Sequence, residues 1–310
     1  MNNATFSILI TTKNRLSDLA FTLDKINYLL EKKEVACIIC DDGSTDGTAS
    51  FLKTHYPEIQ FIQNAKSLGL IYSRNRLLSL VTTEFAISID DDAHFITENP
   101  LESIRNHFEE NANCGLTALR IFWGLEKPKT IISNEKGTRV QGFVGCAHVW
   151  RMKAWRDIPN YPSWFVFYGE ENFASFQLFK KNWEIHYLPD VLVHHRVDVK
   201  ARRNNDDYTI RLRRSLRSGW YLFFLFFPLE KIPQKLAYSL WIQFKSKVFK
   251  GDFKALRAIV LAKFDLVWNM PRILIDSNRL TLKEFDIYNK LPETKIYWQP
   301  PLIQDEHEKL

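Results

Sequence analysis

The chain has 310 residues, room for one large domain or for one domain with an extension. A composition of 45% hydrophobic and 25% charged residues is that of a globular protein and excludes a disordered chain. The net charge of +6 is a mild excess that names no polyanionic partner by itself, and four scattered cysteines make no disulfide framework.

In chain order, residues 6–10 read as a first strand. An amphipathic helix is predicted over 18–30, where Leu19, Leu23, Ile26 and Leu30 recur at helical spacing. Residues 35–40 read as a second strand, 45–55 as a loop and helix, 59–62 as a short strand, 70–80 as a helix and 85–89 as a fourth strand. Cys37 and Cys40 lie in the second strand on opposite faces, as buried apolar cysteines; Cys114 and Cys146 are isolated. Strands alternating with helices predict a mainly parallel sheet with right-handed crossovers. Beyond Asp92 the rhythm loosens. A helix is predicted over 100–108, a strand over 116–123 and a polar loop over 127–140. An apolar strand over 142–150 is expected to pass close to a ligand. A helix over 171–181 and strands over 183–188 and 191–195 follow. From about residue 200 the pattern is all helix. A boundary is expected there, giving a catalytic unit, 1–203, and a helical, aromatic- and arginine-rich region, 204–310. Residues 1–5 show no signal core, and no run approaches the ~18–20 apolar residues that span a bilayer, so a cytoplasmic protein is expected.

Three acidic clusters stand at the ends of these elements. Asp90, Asp91 and Asp92 close the fourth strand, where open α/β sheets bind ligands. Like charges this close repel and call for a cation; Mg2+ or Mn2+ suits hard oxygen ligands, with Asp90 and Asp92 sharing a face. Asp41 and Asp42 end the second strand, where a carboxylate can accept the imide N–H of uracil or thymine. A calcium loop is excluded, because Lys53 stands where an EF-hand needs glutamate. Ser44, Thr45 and Asp46 are candidate helix caps. Glu170 and Glu171 follow an aromatic wall, 164–168; they suit either a general base or the decoration of a helix start. Arg74 fits either a diphosphate or a solvated surface. His194 and His195 point to opposite faces, so only one can join a metal held by Asp92. Trp123, Trp150 and Trp164 can stack on a sugar or fill the core. Arg211, Arg213, Arg214 and Arg217 precede an aromatic run, 220–227. That segment either rests on an anionic membrane surface or packs against the core or a second protomer as a homodimer contact, and the packing reading is preferred.

Over residues 6–195 these clusters, in this order, resemble the family 2 glycosyltransferases of the GT-A fold. The resemblance implies a Rossmann-like, mainly parallel α/β sheet flanked by helices, with a C-terminal helical extension. It also implies an inverting, metal-dependent enzyme using nucleotide-sugar donors. Thr11, Thr12, Asn14 and Arg15 look like the family's opening loop against the nucleoside. Asp41-Asp42-Gly43-Ser44-Thr45-Asp46-Gly47-Thr48 resembles its D-D-G-S-x-D-x-T, which assigns base recognition to the pair, through Asp42 in the first place. Gly69 with Arg74 is similar to the stretch near the diphosphate. Asp92 takes the direct metal position, with Asp90 beside it and Asp91 near the ribose; His195 or His194 falls where many members place a histidine. Glu171, with Glu170 beside it, stands at the catalytic base. Gly145 and Trp150 lie in the stretch 145–151 that resembles the family's G…R stretch beside the acceptor, and Trp164 is a further acceptor candidate.

Departures are Lys13 for an aromatic, Glu171 for aspartate and Gln177 for arginine. With no Q-x-x-R-W motif and no spanning helices, transfer of a single sugar from a UDP- or dTDP-sugar to a glycan or lipid-linked acceptor is expected. The cofactor is Mn2+ or Mg2+. The alternatives are a catalytically silent nucleotide- or carbohydrate-binding relative and a sugar nucleotidyltransferase, although the latter's G-x-G-x-R loop is missing. Nucleic-acid binding is not expected.

Overall fold

The structure, a computed structural model, describes residues 4–197 and 207–300; the boundary expected at 203/204 lies outside the described residues. The first half alternates as the sequence predicts: β1 (Phe6–Thr12), α1 (Leu16–Leu30), β2 (Val35–Asp41), α2 (Thr48–His55), β3 (Gln60–Gln63), α3 (Leu70–Ser79) and β4 (Phe85–Asp90). β3, β2, β1 and β4 lie side by side and parallel. Side-chain alternation sorts each strand between two cores. Ile8, Ile10 and Ile39 join Leu19, Leu23 and Ile26 of α1, whereas Leu9, Ile38 and Cys40 join Ile71 and Leu77 of α3. Cys37 and Cys40 accordingly face opposite layers, both as free thiols. Because all four strands run the same way, their carboxyl ends share one edge. The two aspartate clusters stand there.

β5 (Ala93–Phe95), α4 (Pro100–Glu110), β6 (Cys114–Trp123), β7 (Thr138–Arg139), β8 (Ala147–Arg151), α5 (Met152–Arg156), α6 (Glu170–Lys180) and β9 (Glu184–His195) complete the sheet. Its order is β3-β2-β1-β4-β8-β6-β9-β5, with β8 antiparallel to β4 and β6. Three expectations change. The strands expected at 183–188 and 191–195 are one strand, β9. A register shift opposite Leu119 and Arg120 absorbs Pro189, which an unbroken ladder would not tolerate. The strand expected over 142–150 pairs only from Ala147, leaving 142–146 as a loop towards the site. α2 begins at Thr48, after Gly47 at φ 89°, because Ser44 and Thr45 hold the preceding loop rather than the helix.

α7 (Tyr208–Phe226), α8 (Ile232–Ser246), α9 (Phe253–Ile275) and α10 (Leu282–Lys290) form the carboxy-terminal part. Trp220, Tyr221, Leu225 and Phe226 of α7 are buried, Tyr221 against Trp164 and Phe165 and Phe226 against Phe173 and Phe176. Burial of each large apolar side chain contributes ~1.5–3 kcal/mol, so the run is anchored in the core. Of the preceding arginines, Arg213 and Arg217 pair with Asp265 of α9, and Arg211 pairs with Asp207 one turn away at the start of its own helix. This corrects the membrane-surface reading of residues 211–227. No helix of the described residues is long and apolar enough to cross a membrane.

Candidate active site

A cleft of about 540 Å³ opens at the carboxyl edge of β1, β2 and β4. Antiparallel pairing of β5 with β9 sets Ala93 opposite His195 and thereby brings His195 beside Asp92, 103 positions earlier in the chain. His195 Nε2 lies 3.0 Å from Asp92 Oδ1, and ligand atoms of Asp90, Asp92 and His195 fall within 4.8 Å of one another. Asp91 turns aside to accept from Thr12 Oγ1 at 2.8 Å. Arg15 spans the cluster, Nη2 at 2.7 Å from Asp92 and Nη1 at 3.2 Å from Asp91. Burial works against charge on both aspartates. It lifts Asp91 to about 7, whereas at Asp92 the bonds to His195 and Arg15 outweigh it and hold the carboxylate below its usual range. His195 Nδ1 is buried without a hydrogen-bond partner among the described residues, and Asp92 Oδ1 has only the His195 imidazole beside it. Two carboxylates and an imidazole with an unpartnered nitrogen fit a hard divalent ion such as Mn2+ or Mg2+.

His194 does not belong to this group. It faces the other side of β9, its Nε2 donating to the Gly124 carbonyl at 2.8 Å, with its ring between His94 and Phe122. A second cluster, His107, Cys114 and His186, is satisfied internally. The two imidazoles bond to each other at 3.0 Å and Cys114 donates to the Leu116 carbonyl.

One wall of the cleft is built on Asp42. Its carboxylate accepts from Ser67 Oγ (2.6 Å), Asn64 Nδ2 (2.7 Å), Leu68 N (2.8 Å), Gly69 N (2.9 Å) and Ser73 Oγ (3.2 Å). Burial opposes its charge, yet these bonds hold it below the usual carboxylate range. Asp42 thus pins the 67–69 loop to the cleft wall. Gly43, at φ 76°, makes this possible, since a Cβ there would sit 2.9 Å from the Lys66 backbone. Asp41 lies beneath, fully buried, accepting from Ser44 N and Gln63 Nε2, and of the pair only Asp42 lines the cleft. Thr11, Thr12, Arg15 and Gly69 line it as expected. Asn14 does not: at φ 52° it ties the first loop to Ser44 and Thr45.

The glutamates lie behind this wall. Arg74 donates from Nη1 to Glu170 Oε1 (3.1 Å) and from Nη2 to Asp90 Oδ1 (2.9 Å) and the Gly145 carbonyl (2.9 Å). Only 4% exposed, its guanidinium is committed to these partners and does not reach towards a diphosphate, contrary to expectation. Glu170 is buried and bound to Arg74. Glu171, the next residue, reaches Gly145: a Cβ there would stand 2.3 Å from Glu171 Oε1, so glycine is what admits the carboxylate. Burial raises the affinity of both glutamates for a proton, and Arg74 opposes it.

Two expected acceptor contacts fail. Trp150 is fully buried, packed on Trp155 and Tyr161 within the core. Trp164 stacks on Tyr221 and under Arg272, away from the cleft lining. Trp123 stands edge-on to His195 and stacks on Tyr297. Val166 and Phe167 line the cleft instead, on a strained loop: Val166 has φ 68° and Tyr168 φ 71°. Positive φ is a true outlier for a β-branched residue, and such strain clusters at functional sites. Lys13 and Arg214 also reach the cleft. Lys13 was legible only as a departure from a motif. Arg214 lay among four arginines on one helix, and what distinguishes it is that, among the described residues, it alone has no carboxylate partner.

Residues 7–158 match the family model described as glycosyl transferase family 2. No curated protein matches the chain. Among solved structures it is similar to GalNAc-T7, crystallised with UDP, GalNAc and Mn2+, at 13% identity and a TM-score of 0.57, covering 74% of this chain and 49% of that one. It is also similar to the mannosyltransferase PcManGT of Pyrobaculum calidifontis, in complex with GDP-Man and Mn2+ (13% identity, TM-score 0.54, 92% and 78% covered). A third is S. aureus TarS 1-349 in complex with UDP-GlcNAc (16% identity, TM-score 0.52, 78% and 73% covered). The chain thus spans about half of the first of these relatives. The match to glycosyl transferase family 2 thus covers residues 7–158, and the sheet with its helical flanks has the GT-A fold.

Proposed function

We propose that the protein moves one sugar, with inversion, from a nucleoside diphosphate sugar to a hydroxyl of a glycan or lipid-linked acceptor. UDP is the favoured nucleotide and dTDP the second. The observation that carries this reading is the bridge made by Arg74, one guanidinium holding both Asp90 of the ion-binding cluster and the glutamate pair. Asp92, Asp90 and His195 would hold Mn2+ or Mg2+, which supplies positive charge to the diphosphate leaving group. Lys13, Arg15 and Arg214 add cations along the same cleft. Arg15, now on Asp91 and Asp92, can exchange those carboxylates for phosphate oxygens. Asp42 presents the 67–69 loop to the base, and Asp91 lies towards the ribose.

Glu171 takes the proton from the acceptor hydroxyl. The oxygen attacks the anomeric carbon opposite the diphosphate, forming the new C–O bond as the bond to phosphate breaks. A base whose proton affinity is raised by burial works closer to neutral pH than an exposed glutamate. Glu170 positions Arg74 and stays out of the reaction. Residues 1–203 carry the donor and base groups, and the helical region from 204 completes the cleft through Arg214.

The mannosyltransferase with GDP-Man and TarS with UDP-GlcNAc support a nucleotide-sugar donor by likeness of fold. A panel of nucleotide sugars, read as released nucleotide with MnCl2 or with EDTA, tests the reading. A UDP-sugar should be consumed only with metal, and Asp92→Ala should abolish metal-dependent UDP binding in calorimetry. Nucleotide release indifferent to EDTA and to Asp92→Ala would overturn it.

A further inference from the structure

α9 is apolar on two opposite faces. Ala255, Ala258, Ile259, Ala262, Leu266 and Ile273 are buried against the body of the protein, and α7 is the helix α9 packs on most closely. On the other side Phe253, Val260, Phe264, Val267, Trp268 and Ile275 recur at helical spacing in a single stripe. They are 44% exposed at Val260, 70% at Phe264 and 86% at Trp268. Trp241 of α8 and Phe249 beyond it are also exposed. A surface helix of a globular protein keeps its outward face polar, and a contiguous exposed apolar patch marks an interaction surface.

Charge says what that surface meets. The 3.6-residue turn places Lys254 and Arg272 along one edge of the stripe, Lys263 along the other, and the exposed Arg257 within it. Residues 231–275 hold nine lysines and arginines against two aspartates, a balance of +7 in a chain whose total is +6. Both aspartates are engaged internally: Asp252 caps α9 and accepts from Tyr208, and Asp265 accepts from Arg213. The remainder of the chain therefore balances to −1, and the positive charge is concentrated around the apolar face.

We propose that this face docks on an anionic lipid bilayer, the stripe lying among the acyl chains and the lysines and arginines reaching the headgroups. A second copy of the chain is the weaker occupant, since a twofold contact sets the patch against itself, lysine facing lysine. α9 packs on α7, which carries Arg214 to the cleft, so docking sets the cleft in fixed relation to the bilayer. The inference is independent of which sugar is transferred.

The test is flotation of the full chain with phosphatidylcholine vesicles, with and without about 30% phosphatidylglycerol. Wild type should float with the anionic vesicles and bind them about 10-fold more tightly than the neutral ones. Phe264→Ser/Trp268→Ser and Lys254→Ser/Lys263→Ser should each weaken binding by about 10-fold or more, with an unchanged thermal midpoint, because all four side chains are exposed. Failure of wild type to float, or flotation untouched by both variants, overturns the proposal. So does sedimentation showing a dimer that Phe264→Ser/Trp268→Ser splits while vesicles are ignored. Loss of nucleotide release with flotation intact would count against the reaction and leave the docking standing.

Discussion

Around Asp92 the charged groups face the cleft, whereas around Glu170 they are sealed behind it, although both sets meet at Asp90. The open set is incomplete: His195 Nδ1 lacks a partner among the described residues, and Arg15, bonded to the aspartates, is part exposed and can leave. In the sealed set the Arg74 guanidinium is saturated by two carboxylates and a carbonyl, although Glu170 Oε2 is buried without a partner among the described residues. Incomplete bonding suits a place where ligands arrive and depart. Saturated bonding suits a place where a reacting group must be held still.

That contrast predicts a split between turnover and binding. Glu171→Gln should lower turnover by ~10²–10⁴-fold with nucleotide affinity unchanged, measured by nucleotide release and calorimetry; normal turnover would end the assignment. Since the base must be ionised and burial raises its proton affinity, turnover should climb with pH along a limb above the ordinary glutamate value of about 4.3. Arg74→Met leaves Glu170 buried without its cation and should cost ~3–5 kcal/mol in chemical denaturation. A smaller loss is tolerable only if Glu170 takes up a proton, which the same unfolding series repeated at higher pH would reveal. Gly145→Ala drives a methyl group against the Glu171 carboxylate and should reduce turnover by up to ~10²-fold while sparing donor affinity. The smallest effect is expected from His194→Asn, which should leave Mn2+ affinity as it is, whereas His195→Asn should weaken it; equal losses would merge the two histidines into one role.

Two helices show where the sequence could be read and where it could not. The run 220–227 has the look of a membrane-seeking segment, yet in α7 it is core. α9 shows no such run and turns out to carry the exposed apolar stripe. Composition along the chain registers how apolar a segment is. It does not register which neighbours cover it, and α7 is covered by α6 and α9 while the outer side of α9 is not. Trp150 follows the same logic: an aromatic near a motif is as easily filler as ligand contact.

The sequence by itself determined the alternating α/β framework and the edge at which the carboxylates of Asp42, Asp90 and Asp92 gather, because strand periodicity and strand-end chemistry are local properties. Only the tertiary structure decided that His195 rather than His194 joins Asp92, that Arg74 serves the glutamates rather than a phosphate, and that Arg214 reaches the cleft. Each of those outcomes depends on strand register or helix packing between residues far apart in the chain. A side chain's partner is set by where distant elements meet.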